Sequence, residues 1–374
     1  MLLIPLFNLS GQQQRGAIDW DRAQQLYRRE KRGEKLTADE KEFLDHAKEA
    51  RRTGGQEDAR RPQGGRALPD TSELIPLTDM TGIDRYRGED GGLYGGGTNT
   101  PPWRHAEAAR KELAAIVPLN AEGRPATNGH IVLISIGMSN TTQEFSKFKE
   151  IADKDADRNP QVIIVDGAQG GMDATLWDVK SSDRALGVWR ELDHRLTAAG
   201  VTTQQVQALW LKQAVRIAGK AGEFPEHARL LKDHLASILR TARGRYPNLR
   251  IAYLSSRTYG GYSSSGVNPE PYAYEGAFAV RWLIRAQMAE PVAADMNWDP
   301  ARGKAQVPLL LWGPYLWANG MAPRKGDGLT YSREDFRKDG VHPSPETGQE
   351  KVAKQLLRFF KGDPLAQPWF VTPK

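Results

Sequence analysis

The chain of 374 residues contains no cysteine. That excludes disulfides, thiolate catalysis and cysteine-ligated metal centres together. No stretch approaches the roughly 18 apolar residues that a membrane-spanning helix needs. Neither a His-x-x-x-His nor a His-Glu pattern occurs, so neither a metal nor another cofactor is expected. His194, His227 and His234 fall on predicted helices among charged residues, where a surface position is expected. Apolar residues are also scarce, 39% of the chain, beside 37 glycines and 23 prolines, the composition of a loop-rich protein. The net charge of +6 is modest. Much of the basic excess lies before residue 70 without interleaved aromatics, which argues against nucleic-acid binding. The apolar start MLLIPLFNL has no basic residues ahead of it and no small-residue cleavage site. It is expected to pack on the core, with a remnant of a longer precursor as the alternative.

What is present divides into three parts. Residues 1–70 are expected to form a helical hairpin and linker. Asp19 or Asp21 can cap a first helix running to Lys31, and Gly33 interrupts it. Thr37 with Glu40 three residues later has capping-box spacing for a second, whose apolar stripe is Phe43, Leu44 and Ala47. Residues 53–70 read as a Gly-, Arg- and Pro-rich linker. Residues 71–129 read as a Gly-rich loop region, which either packs over the catalytic core or ties the hairpin to it.

From residue 130 the texture changes. Five short apolar runs, at 130–137, 161–167, 206–213, 249–257 and 308–315, lack period-two alternation and so suit strands buried on both faces. Helical stretches separate them, at 177–199, 226–245 and 274–289, and a last helix spans 345–360. This alternation predicts an α/β domain over 130–374 with a parallel sheet and right-handed crossovers. Its ligand should sit at the carboxyl ends of the strands.

Those ends hold the candidate chemistry. The first run leads into Gly137-Met138-Ser139-Asn140 and then a helix-competent segment. A serine there is exposed beside the N–H groups of a helix start, although from this segment alone a helix cap is the first expectation. The second run leads into Asp166-Gly167-Ala168-Gln169-Gly170-Gly171, where glycines let backbone approach a ligand. The third ends in Trp210-Leu211-Lys212-Gln213-Ala214, with two long donors at the rim of the sheet. Near the C-terminus Asp339-Gly340-Val341-His342-Pro343 places a carboxylate three residues before a histidine, able to fix its tautomer and free Nε2 for a hydroxyl proton.

Taken in order, serine, glycine, a donor and Asp-x-x-His at successive sheet ends resemble the SGNH (GDSL-like) hydrolase family, over roughly residues 130–360. GMSN is similar to the Gly-Gln-Ser-Asn form of sialate O-acetylesterase-like carbohydrate acetylesterases, and WLKQA partly matches their Trp-x-Gln-Gly-Glu motif. The resemblance implies a flavodoxin-like three-layer α/β/α sandwich with a five-stranded parallel sheet. It implies Ser139 as nucleophile, His342 as general base and acid, Asp339 as its orienting partner, and the N–H groups of Ser139 and Gly171 as oxyanion donors. The third-block Asn-Asp of the family is absent. Either Gln213 fills that role by a one-residue shift or Lys212 acts as a cationic donor. Asn140, Gln169, Gly170, Arg257 and Tyr259 are candidate substrate contacts. Tyr262, Trp312, Tyr315 and Trp317 invite the same reading, although aromatics at strand ends also serve packing.

The expected activity is therefore hydrolysis of an acyl ester, with acetyl the expected acyl group, on a carbohydrate. Two alternatives stand beside it: a lipid or simple-ester hydrolase, and an inactive SGNH-fold protein that binds a glycan or partner. A conventional α/β-hydrolase is disfavoured because no Gly-x-Ser-x-Gly elbow occurs. The family resemblance also implies a secreted or periplasmic setting.

Overall fold

The computed structural model describes residues 20–31, 34–48 and 69–372. The apolar start and almost all of the linker lie outside the described residues, as do the side chains of Asp19 and Asp21. The chain divides into two compact units, Met1–Ala67 and Leu68–Lys374.

In the first unit, helix α1 spans Trp20–Lys31 and helix α2 covers 38–48. Thr37 and Glu40 exchange reciprocal bonds, Thr37 N–H to the Glu40 carboxylate at 2.9 Å and Glu40 N–H to Thr37 Oγ1 at 3.2 Å. Arg29 of α1 reaches Glu40 at 2.7 Å, and Leu26, Leu44 and Ala47 are buried.

The second unit is built on five parallel strands: β1 (Ile131–Gly137), β2 (Val162–Val165), β3 (Val206–Lys212), β4 (Ile251–Ser255) and β5 (Leu309–Trp312). Their order is β2-β1-β3-β4-β5. This is the flavodoxin-like arrangement, whose order reverses between β1 and β3 and opens a crevice there. All five expected strands are present, trimmed by a residue or more at their ends. Successive strand residues point to opposite faces and both faces are covered. Val132, Ile134 and Ile136 join one apolar cluster, Ile131 and Leu133 the other. Helices α6 (Ala185–Ala198), α7 (Glu226–Arg245) and α8 (Tyr272–Met288) supply the first layer. Helices α3 (Trp103–Ala114), α4 (Ser139–Ala152), α9 (Gly348–Gly362) and α10 (Gln367–Phe370) supply the second.

Several expectations are corrected by tertiary contacts. Of the helix expected over 177–199 only α6 forms; a short helix α5 (Ala174–Trp177) ends where the expected one begins. At the break the Asp178 carboxylate accepts from Lys180 N–H at 2.9 Å and Ser181 Oγ at 3.0 Å, bonds that hold a turn instead. The last helix starts at Gly348 rather than Pro345. Within 71–129, where only loop was expected, α3 buries Ala106, Ala109 and Leu113. His227 and His234 are buried, not superficial, because each has a carboxylate partner: Glu275 at 2.6 Å and Asp178 at 2.9 Å. The Gly-rich loop lies on α8 and the end of β5. Tyr86 donates to Glu275 at 2.6 Å, Arg281 is paired with Glu89, and Trp312 Nε1 donates to Leu93 O at 2.6 Å.

Candidate active site

Ser139 is the first residue of α4, with Met138 as N-cap and no capping bond from a side chain. A turn this tight after a buried strand needs glycine at 137, since a Cβ there would lie 2.3 Å from that of Thr141. Thr141 Oγ1 in turn donates to Lys212 O at 2.8 Å, tying the first turn of α4 to the end of β3. With its backbone thus held, Ser139 directs its hydroxyl outward. Ser139 Oγ lies 2.7 Å from His342 Nε2.

His342 comes from the loop before α9. Its Nδ1 lies 2.6 Å from Asp339 Oδ2, while the other carboxylate oxygen accepts the N–H of Val341 at 2.9 Å and of His342 at 3.0 Å. Burial alone would raise the Asp339 pKa. The hydrogen bonds from the His342 N–H, the imidazole and the Val341 N–H outweigh it and hold the carboxyl below its ordinary value. The loop's own shape depends on Gly340, which has φ of 66° and sits against Tyr262, where a Cβ would fall 1.7 Å from the carbonyl oxygen. Serine, imidazole and carboxylate thus form an unbroken relay across 203 residues of sequence, with the ring nitrogens arranged for proton transfer from Ser139.

The turn after β2 faces the same crevice. Gly171 has φ of 79°, is exposed, and its N–H donates to no group among the described residues. Gly170 is likewise exposed. Gln169 is anchored instead: its N–H donates to Gly137 O at 3.1 Å and its side-chain nitrogen to Val188 O at 2.8 Å. Gln213 Nε2 donates to Met172 O at 3.1 Å, which places its amide beside the Gly170-Gly171 turn. Asn140 is buried, its Oδ1 accepting Thr141 N–H at 3.0 Å.

Lys212 differs from the expectation of a rim donor. Both it and Glu144 of α4 are buried, and its ammonium is ion-paired with that carboxylate. Burial pushes the Lys212 ammonium down to about 8 despite the pair. Arg257 and Tyr259 are also buried, at 3% and 8% exposure, so neither presents an open surface to a substrate. Tyr262 donates to Tyr331 O at 3.1 Å, and Trp312, Tyr315 and Trp317 lie within the core cluster. Strand-end aromatics here serve packing.

Two supporting residues escape sequence reasoning. Asp166 accepts from Ser135 Oγ at 2.6 Å, Ser146 Oγ at 2.7 Å and Thr142 Oγ1, joining β1, β2 and α4 under the site. Burial raises its pKa against those bonds. Its place at the end of a buried strand was the available signal. Glu144 lies inside a helix, and nothing local marks it as the partner of a lysine 68 residues later.

Neither a family profile nor a curated protein sequence matches the chain. Among solved structures, a Bacteroides fragilis protein provisionally named an acylhydrolase matches at 12% identity and TM-score 0.34, over 69% of this chain and 96% of that one. A provisionally named SGNH hydrolase of Slackia heliotrinireducens matches at 13% and 0.31, over 62% and 99%. Superpositions this loose carry no argument. The functional reading rests on this chain's own geometry.

Proposed function

We propose that this protein is a serine esterase of the SGNH type that removes an acyl group, acetyl by preference, from a carbohydrate. The observation that carries the proposal is the relay from Ser139 Oγ through His342 to Asp339, at 2.7 and 2.6 Å. A protein that only binds a ligand has no need of it.

In the proposed reaction His342 Nε2 takes the hydroxyl proton as Ser139 Oγ attacks the ester carbonyl. Asp339 holds the imidazole and stabilises its charged form. The N–H groups of Ser139 and Gly171 receive the oxyanion, with the second proton of Gln213 Nε2 as the third-strand donor; Lys212, spent on Glu144, is left out of that set. The imidazolium then protonates the departing sugar oxygen. Water, deprotonated by the same nitrogen, releases the acid and restores Ser139.

The preference for a sugar over a lipid follows the likeness of Gly137-Met138-Ser139-Asn140 to the Gly-Gln-Ser-Asn form of carbohydrate acetylesterases. Gly170 and Asn140 border the nucleophile in this reading.

The test is acetate release from p-nitrophenyl acetate and from an acetylated xylan. Ser139→Ala is expected to lower both by about four orders of magnitude or more, the scale seen when a hydrolase loses its nucleophile. Folded wild-type protein that releases nothing from either substrate, nor from longer acyl esters, would turn the reading to a glycan- or partner-binding role.

A further inference from the structure

Among the described residues, Arg257 is a buried cation whose position stability does not account for. It follows the end of β4 by two residues and is 3% exposed. Among the described residues it makes no ion pair; its polar contact is Nη1 to Met138 Sδ at 4.0 Å, and its Nε has no partner. Burying a charge without an ion partner is costly, several kcal/mol in general terms. Other buried cations here are compensated: Lys212 by Glu144, and Arg281 by Glu89 and Asp90. Met138, the residue Arg257 touches, immediately precedes Ser139.

Further buried polar atoms without protein partners belong to the same surroundings. Asn140 Nδ2, Gln143 Oε1 and Glu144 Oε1 are on the first turns of α4, and Ser256 Oγ is next to Arg257. The charged groups that act on Arg257 come from each neighbouring segment: Glu144 on α4, Lys212 on β3, Glu270 before α8 and Asp339 in the histidine loop. Glu144 is neutralised by Lys212, and Asp339 is engaged with His342. Glu270 accepts from Gly260 N–H, Tyr274 N–H and Trp317 Nε1 and makes no ion pair.

We propose that Arg257 is a positioning residue, a fixed buried cation that favours negative charge on the Ser139 side of the relay. The reaction moves negative charge onto the substrate carbonyl oxygen beside Ser139, and a pre-placed cation stabilises that charge without reorganising at the moment of attack. The destabilisation that the charge brings to the ground state fits a trade of stability for activity. This inference rests on the esterase reading above.

The experiment compares wild type, Arg257→Met and Arg257→Lys by melting temperature and by kcat and KM on p-nitrophenyl acetate. Arg257→Met fills similar space without the charge, so its melting temperature is expected to match or exceed wild type. Its kcat is expected to fall about 10- to 100-fold with KM nearly unchanged. Arg257→Lys keeps the charge and should retain most of the wild-type kcat. A residue needed only for packing would lower the melting temperature of Arg257→Met and leave its kcat near wild type, or Lys would restore kcat no better than Met; either result overturns the proposal. If Arg257→Met does not fold, Arg257→Gln is read in the same way. Inactive wild-type protein defeats the esterase reading itself, whereas active wild type with an unchanged kcat in Arg257→Met defeats this inference alone.

Discussion

At the scale of single residues, the site depends on two glycines as much as on its three polar members. Gly137 admits Thr141 against the nucleophile turn. Gly340 combines a left-handed backbone with a carbonyl contact that no Cβ can share. Gly340→Ala should therefore cost about 2 kcal/mol or more of stability in urea melts, since backbone strain of about 1–3 kcal/mol is joined by a steric clash. Its effect on kcat should exceed its effect on KM, because displacement of the loop moves His342 away from Ser139. A variant with wild-type stability and rate would show that the loop absorbs the methyl without moving the imidazole. The residue pattern Gly-x-Ser and Asp-x-x-His was readable in the sequence because each motif is local. The destinations of Lys212, Arg257 and Gln169 were not, because their partners lie on other elements.

At the scale of elements, the nucleophile helix is fastened to the sheet from below. Asp166 holds it through Thr142 and Ser146, Thr141 binds the β3 end, and Glu144 pairs with Lys212. Removing one member of a buried pair leaves the other charged and uncompensated, typically at about 3–5 kcal/mol, whereas replacing both by apolar groups of similar volume is often neutral. Lys212→Met alone should thus lower stability by about that range. The double variant Lys212→Met/Glu144→Leu should recover most of the loss in a denaturant double-mutant cycle. Additive losses would mean the pair contributes no coupling. Sequence periodicity located the strands well, since a strand buried on both faces must be apolar along its length. It missed α3 and the break before α6. The first stands in a segment whose glycines and prolines suggested loop, and the second depends on hydrogen bonds to Asp178.

At the scale of the whole molecule, the α/β unit buries ionisable groups whose charge state links its stability to pH. Glu270 is the clearest. Burial pushes its carboxyl up to about 7, against the N–H groups of Trp317, Gly260 and Tyr274. A carboxyl whose folded value is raised favours folding below its ordinary value of 4.5 and loses that contribution as pH rises toward about 7. The melting temperature should accordingly decline in part between about pH 5 and 7. Glu270→Gln should be less stable at every pH, because its amide nitrogen would face an N–H donor, but that part of the slope should vanish. An unchanged slope in Glu270→Gln would assign it to other groups.

The sequence by itself determined the α/β class, the number and approximate extent of the strands, Ser139 after the first strand, and the Asp339-x-x-His342 motif near the C-terminus. These follow from hydrophobic periodicity and short-range motifs, which act over a few residues; the strand order that opens a crevice between β1 and β3 is a property of the tertiary structure. Only tertiary structure decided which polar groups face the crevice and which lie beneath it. A lysine or arginine after a strand looks the same in sequence whether it reaches water or is drawn inward. The choice between those outcomes is made by a carboxylate or a packing surface contributed by a distant segment, as Glu144 does for Lys212 and the Met138 turn does for Arg257.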